Sequence, residues 1–147
     1  MTRRPTRENH LQQCTTLEYI LLGDLRDLLE EAEDPTTHHW LMTVLDALLD
    51  TVPKEFAMRE QGGYLTEVLE RFPNWYDQVC ALQREKRTLY EKLRVLRTRL
   101  ARHTSLEEIA DEVRFNLQEW MNRFIAHHRH ERRLVQTAYT LEVGGGD

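Results

Sequence analysis

The chain has 147 residues, of which 31% are charged and 40% apolar, and its net charge is -5. This is the length of one ordinary domain that can bury a core without disulfides or a structural metal, and the composition is typical of a folded helical protein. The negative balance argues against a general nucleic-acid binder. No apolar run is long enough for a signal peptide or a membrane span, so we expect a cytoplasmic protein that binds neither nucleic acid nor membrane.

The first half of the chain predicts a tail and two helices. Residues 1–9 are polar, contain Pro5 and are predicted to form a mobile N-terminal tail. A first helix is predicted over residues 10–33, with Leu17, Leu21, Leu25 and Leu28 on its apolar face. Asp34-Pro35 ends this helix, because proline restricts the residue before it and lacks a backbone donor. A second helix then extends to Gln61, before Gly62-Gly63, and its apolar stripe (Leu41, Leu45, Leu48, Val52) continues onto Glu55, Phe56 and Arg59.

The second half predicts two further long helices. Residues 64–69 are predicted to form a short turn of helix, and Pro73 opens a third long helix that reaches Ala101. Its apolar stripe includes Lys86 among Val79, Leu82, Leu89, Leu93, Leu96 and Leu100. Ser105 and Glu108 form a capping box that starts the fourth helix. The inner face of that helix carries His127 and Glu131 together with Leu117, Met121, Phe124, Leu134 and Ala138, and a Gly-rich tail follows over residues 142–147.

Short connections between four long amphipathic segments make sequential helices neighbours in space. The sequence therefore predicts an all-α protein whose single domain, residues 10–141, is an antiparallel up-down-up-down four-helix bundle.

Three pairs of ionisable or polar residues interrupt these apolar stripes, each with a spacing of four: Glu55 and Arg59, Lys86 and Tyr90, His127 and Glu131. Residues four apart lie on the same face of a helix, so each pair points in one direction. Bundles hold metals and cofactors with side chains that project inward from facing helices at one depth, so the three pairs predict one internal site. The alternatives are that such pairs are surface ion pairs, and that His127 only bonds a neighbouring carboxylate.

The chain resembles the hemerythrin family, the HHE cation-binding four-helix bundles, over most of its length. The resemblance lies in Leu17-Glu18-Tyr19, Glu55-Phe56 with the segment 59–65, Arg84-Glu85-Lys86, and the segment 127–131 before Ala138-Tyr139. It implies a pocket that holds a di-iron centre with histidines and carboxylates from all four helices. The matching positions in this chain are Tyr19, Glu55, Arg59, Lys86, Tyr90, His127 and Glu131. His127 and Glu131 keep the ligand types of the family and Glu55 can replace a histidine, whereas protonated Arg59 and Lys86 offer a metal no lone pair.

Two functions follow from these residues. In the first, an ion-pair network of Glu55, Arg59, Lys86 and Glu131 has replaced the di-iron centre, no cofactor is bound, and the bundle is a structural, sensory or interaction module for an unknown protein partner. In the second, Glu55, His127 and Glu131, with Tyr19 or Tyr90 completing the site, bind iron or zinc for oxygen or redox sensing or for iron handling. No nucleophile with its base and no phosphate-binding loop is present in the sequence, so we do not expect an enzyme.

Two further residue groups provide weaker candidates. His127, His128 and His130, with His38 and His39, are numerous enough for zinc or nickel, but they point in different directions on their helices, which favours adventitious surface binding. Trp40, Trp75 and Trp120 are candidate anchors for a protein partner if they are exposed, and core residues otherwise. The oligomeric state is not predicted.

Overall fold

The computed structural model describes residues 7–31, 35–61, 64–102 and 107–144. These residues form four long helices and one short one, and no strand is present among them. The elements are α1 (Arg7–Glu30), α2 (Pro35–Gln61), α3 (Tyr64–Arg71), a 3₁₀ turn (Pro73–Trp75), α4 (Tyr76–Arg102) and α5 (Glu107–Gly144). The prediction of an all-helical chain is therefore confirmed for the described residues.

Both terminal boundaries differ from the sequence prediction. Helix α1 begins at Arg7, inside the predicted tail, because no helix breaker follows Pro5 until Gly23. Helix α5 continues to Gly144, beyond the predicted end of the domain, because the chain meets no glycine or proline before that residue. The end of α1 is at Glu30 rather than at residue 33. The predicted capping box lies outside the described residues at Ser105, and the Gly62-Gly63 break also lies outside them.

The four long helices share one large apolar cluster. Its fully buried members include Leu25 of α1, Leu45 and Leu48 of α2, Leu93 of α4, and Phe124 of α5. Helix α1 contacts α2 and α5, and α4 also contacts α2 and α5, so each long helix has two long neighbours. Burial of such stripes is the main source of stability of a helical domain, at about 1.5–3 kcal/mol for each large side chain. None of the described helices combines the length and apolarity required to cross a membrane.

A second, smaller apolar cluster lies where α3 packs against α4 and α5. It contains Leu65, Val68, Val79, Val135 and Ala138. Along α5 the large cluster ends at Phe124 and the small one begins at Val135, and along α4 the corresponding residues are Leu89 and Val79. The residues between these limits separate the two clusters, and they include the charged residues on the predicted stripes.

Candidate functional site between the two apolar clusters

Five ionisable side chains are buried in the segments that separate the two clusters. They come from all four long helices, and we call them the ionic layer: Glu18 of α1, Glu55 of α2, Lys86 of α4, and His127 and Glu131 of α5. Each continues an apolar stripe with helical spacing, as Glu55 follows Val52 and as His127 and Glu131 follow Phe124. Charged residues are almost never fully buried unless they are paired, so their partners decide what the layer can do.

Lys86 and Glu131 form a buried ion pair in one half of the layer. The Lys86 ammonium donates to Glu131 Oε1 at 2.8 Å, and both side chains are less than 5% exposed. The ammonium also lies 5.1 Å from the centre of the Phe56 ring, a cation–π distance. Burial acts to raise the pKa of Glu131, but the neighbouring His127 and the Lys86 ammonium outweigh it and lower this pKa to about 2. Glu131 is therefore a carboxylate whose charge is balanced by Lys86.

His127 connects this half of the layer to the surface. Its Nδ1 lies 2.5 Å from Oε1 of Glu85, a residue of α4 whose side chain is half exposed. On the inner side, Nε2 of His127 lies 3.5 Å from Oε2 of Glu131. Each ring nitrogen of His127 therefore faces a carboxylate, that of Glu85 on the outer side and that of Glu131 on the inner side.

Glu18 and Glu55 form the other half of the layer, and the half-buried His128 of α5 lies beside them. Arg59 donates from Nε to Glu55 Oε1 at 2.6 Å. Oε2 of Glu18 lies 3.5 Å from His128 Nε2, and Oε1 of Glu55 lies 3.9 Å from His128 Nδ1. Glu18 Oε1, Glu55 Oε2 and His128 Nε2 are buried and make no hydrogen bond within the described part of the chain.

The pKa values of the two carboxyl groups in this half are shifted in opposite directions. Burial is the largest effect on Glu18, and together with the adjacent Glu55 it raises the pKa of Glu18 to about 10. Burial also acts to raise the pKa of Glu55, but the hydrogen bond with Glu18, His128 and Arg59 lower it overall. Burial lowers the pKa of His128, so its imidazole is neutral at pH 7. At pH 7 the Glu18 carboxyl therefore keeps a proton that it shares with the ionised Glu55 carboxylate.

The structure places five of the seven predicted pocket residues together: Glu55, Arg59, Lys86, His127 and Glu131. Tyr19 is 82% exposed, and its prediction as a pocket residue is wrong. Residue 18 shares the inner face with Leu21, Leu25 and Leu29, whereas the next residue points about 100° away on the helix. Tyr90 is half-buried and packs against the large apolar cluster.

Two residues of this region were not among the seven predicted pocket positions: Glu18, and His128, which was predicted only as part of the weaker histidine group. Glu18 carries a sequence signal, since it lies three residues before Leu21 and seven before Leu25, which is the spacing of one helical face. His128 carries none, because its neighbour His127 already points to the core and adjacent residues face different directions. His128 is half-buried against the Phe124 ring, at 4.5 Å between ring centres.

The remaining histidines do not join a common site within the described residues. His38 Nε2 bonds the Leu100 carbonyl at 2.9 Å. Leu100 is fourteen residues after Lys86 on α4, so this bond lies about 21 Å along the helix from the ionic layer. His39 and His130 are exposed.

The three tryptophans have different environments. Trp120 is buried and donates from Nε1 to the Leu89 carbonyl at 2.8 Å, so it is a core residue. Trp75 is half-buried and stacks on Phe72 at 4.6 Å between ring centres, and Trp40 is 53% exposed.

The donor set does not fit two metal ions. Arg59 and Lys86 occupy two positions where the family resemblance implies ligands, and their protonated groups repel a cation. The predicted three-ligand set is also divided, because Glu55 groups with Glu18 and His128 rather than with His127 and Glu131. Comparisons with protein-family models, curated proteins and solved structures find no match to this chain.

Proposed function

We propose that this chain is a hemerythrin-like antiparallel, up-down-up-down four-helix bundle in which ion pairs have replaced the di-iron centre. Such a bundle acts as a non-catalytic structural, sensory or interaction module. The observation that carries this proposal is the pair formed by Lys86 and Glu131, with 2.8 Å between Nζ and Oε1 and both side chains buried. An ammonium in this place excludes a metal ion from the Glu131 oxygen that it bonds.

A second ion pair supports the same proposal. Arg59 Nε lies 2.6 Å from Glu55 Oε1, and the Glu55 side chain has no exposed surface. Each pair thus joins a carboxylate of the resembled pocket to a cation that stands where that family has a ligand. The contact of each long helix with two others is the arrangement that an up-down-up-down bundle produces.

The substitution Lys86→Met tests the network. Removal of one partner leaves Glu131 buried without its cation, so we expect a loss of about 3–5 kcal/mol in the free energy of unfolding. The double variant Lys86→Met with Glu131→Leu removes both charges and should recover most of this loss. Urea denaturation monitored by circular dichroism measures the free energy of unfolding of the wild type, the two single variants and the double variant.

The exposed pair of Asp50 and Lys54 is a matched control, since it has a similar distance of 3.1 Å at the surface. Lys54→Met should change the stability by no more than about 0.5 kcal/mol. A Lys86→Met protein as stable as wild type, or one whose loss is not recovered in the double variant, would rule out a coupled network. Iron at two ions per chain in protein expressed with added iron would also rule out the proposal.

A further inference from the structure

The ionic layer contains more buried carboxylates than cations. Among the described residues, Glu18, Glu55 and Glu131 are buried, while Arg59 and Lys86 are the cations bonded within the layer. His127 and Glu85 bond each other and are left out of this count. Three carboxyl groups against two cations leave one carboxyl group to be neutralised by another species. A proton and a metal ion are the two species that fit inside a protein core.

Three potential ligand atoms converge on the side of the layer where the excess lies. Glu18, Glu55 and His128 each offer one ligand atom, and these atoms lie within 4.8 Å of one another. A tetrahedral ion with bonds of about 2.1 Å places its ligand atoms about 3.4 Å apart. The distance of 3.5 Å between Glu18 Oε2 and His128 Nε2 already has this value.

One buried atom on each of these three side chains lacks a hydrogen-bond partner in the part of the chain that the structure describes. These atoms are Glu18 Oε1, Glu55 Oε2 and His128 Nε2, and His127 Nε2 and Glu131 Oε2 are in the same state in the other half of the layer. A metal ion that replaces the proton of Glu18 meets lone pairs on both carboxylates and on the imidazole. Most buried polar atoms in folded proteins are satisfied, so an unpartnered atom on each of three neighbouring side chains from three helices is the pattern of a site for a positively charged ligand.

We propose that Glu18, Glu55 and His128 form a binding site for one divalent transition-metal ion of the zinc and ferrous iron class. Two carboxylates and one imidazole suit these ions, whereas calcium takes six to eight oxygen ligands and makes little use of nitrogen. Three protein ligands leave a position for water or an external ligand, as in sites that exchange ligands. The site uses α1, α2 and α5, and it shares Glu55 with the ion-pair network, whereas the pair of Lys86 and Glu131 that carries the proposed function is not part of it.

Arg59 and Lys86 limit the site to a single ion. Arg59 bonds Oε1 of Glu55, which leaves Oε2 of that carboxylate for the metal. Lys86 bonds Oε1 of Glu131, so the other half of the layer already contains a positive charge. A pocket of about 280 Å³ lies beside these two cations, and Leu65 and Thr66 also line it.

The test is a titration of the full chain, without a histidine tag and after dialysis against a chelator, with Co²⁺ and with Zn²⁺. Visible absorption of Co²⁺ reports its coordination, and calorimetry gives the stoichiometry for Zn²⁺. We expect one ion per chain. Glu18→Gln and His128→Asn should each weaken binding about 100-fold or more, since even residues that only orient a metal ligand contribute 10–100-fold.

His130→Ala and Glu119→Gln are matched controls, because both residues are exposed. Neither substitution should change the affinity. Circular dichroism verifies that each variant is folded, and Glu18→Gln, which preserves shape, decides the question if His128→Asn does not fold.

Three results would overturn the site. The first is the absence of saturable Co²⁺ and Zn²⁺ binding by the wild type, which would leave the Lys86→Met test of the network unaffected. The second is binding that survives both Glu18→Gln and His128→Asn, since the ion would then be at the surface. The third is binding that His127→Ala removes and His128→Asn does not, since the ion would then be on Glu55, His127 and Glu131.

Discussion

The substitution Glu18→Gln should stabilise the metal-free protein at neutral and alkaline pH. Burial, and then the neighbouring Glu55, raise the pKa of Glu18 from its ordinary value of 4.5 to about 10. The folded protein therefore keeps a proton on Glu18 that the unfolded chain loses above about pH 4.5. Glutamine keeps the shape of a protonated glutamic acid and has no proton to lose. The variant therefore avoids the free-energy cost of protonating residue 18 on folding.

The magnitude follows from the two pKa values. Between pH 4.5 and 10 the folded state binds one more proton than the unfolded state at this residue, so the contribution of Glu18 to stability decreases as the pH rises. The slope is about 1.4 kcal/mol for each pH unit. The advantage of Glu18→Gln over wild type should therefore be near zero at pH 4.5 and on the order of 3 kcal/mol at pH 7.

The assay is urea denaturation of both proteins from pH 5 to 8 in the presence of a chelator. The difference between the two proteins at each pH reports the coupled pair of Glu18 and Glu55, because the other neighbours, Cys14, Arg59 and His128, are common to both proteins. Glu119→Gln, at an exposed position, should follow the wild type at every pH. A difference that does not change with pH would refute the assignment of the shared proton to Glu18.

Two further predictions concern other buried contacts. The pKa of Glu131 is lowered to about 2, so its contribution to stability is fully present above pH 4.5 and is lost as the pH falls toward 2. In Glu131→Gln, the decrease in the free energy of unfolding over this pH range should be smaller by on the order of 3 kcal/mol. The same decrease in the variant as in the wild type, measured by denaturation at each pH, would contradict this. Trp120→Phe removes the bond from Nε1 to the Leu89 carbonyl and should cost about 1–3 kcal/mol in urea denaturation, whereas the same change at the exposed Trp40 should cost less than about 0.5 kcal/mol.

Local residues were sufficient to predict the four long helices and the limits of α2, although α1 and the end of α5 differ from the prediction. Pro35 opens α2, and Gly62-Gly63 follows directly after the last residue of that helix. The stripe of α4 is also correct in detail, since Val79, Leu82, Lys86, Leu89, Leu93, Leu96 and Leu100 are its buried residues. The apolar residues of α4 fit only one helical face, because charged residues occupy the others. The burial of Lys86 could therefore be predicted from periodicity alone.

Helix α1 was harder because it has leucines on more than one face. The stripe of Leu17, Leu21, Leu25 and Leu28 and the stripe of Glu18, Leu21, Leu25 and Leu29 both fit helical spacing. The structure selects the second, with Leu17 at 43% exposure and Glu18 at 3%, because the partner helices pack on that side. The position of His128 was not predictable for the same reason, because it lies next to Glu18 and Glu55 only once α1, α2 and α5 have packed together. Contacts between helices, which no single helix encodes, therefore determine the metal-ligand group.

The excess carboxyl group can be neutralised by a proton or by the proposed metal ion, and the variant Glu18→Gln distinguishes these two possibilities. Without metal, Glu18→Gln should be the more stable protein at pH 7, because it needs no proton on that side chain. With Zn²⁺ at 100 times its dissociation constant, the wild type should gain about 2.7 kcal/mol from binding to the folded state, and the variant should gain little. The advantage of the variant should therefore shrink on addition of zinc and return with a chelator. A constant advantage would show that the third carboxylate holds only a proton, and the ionic layer would then be a network of ion pairs without a metal function.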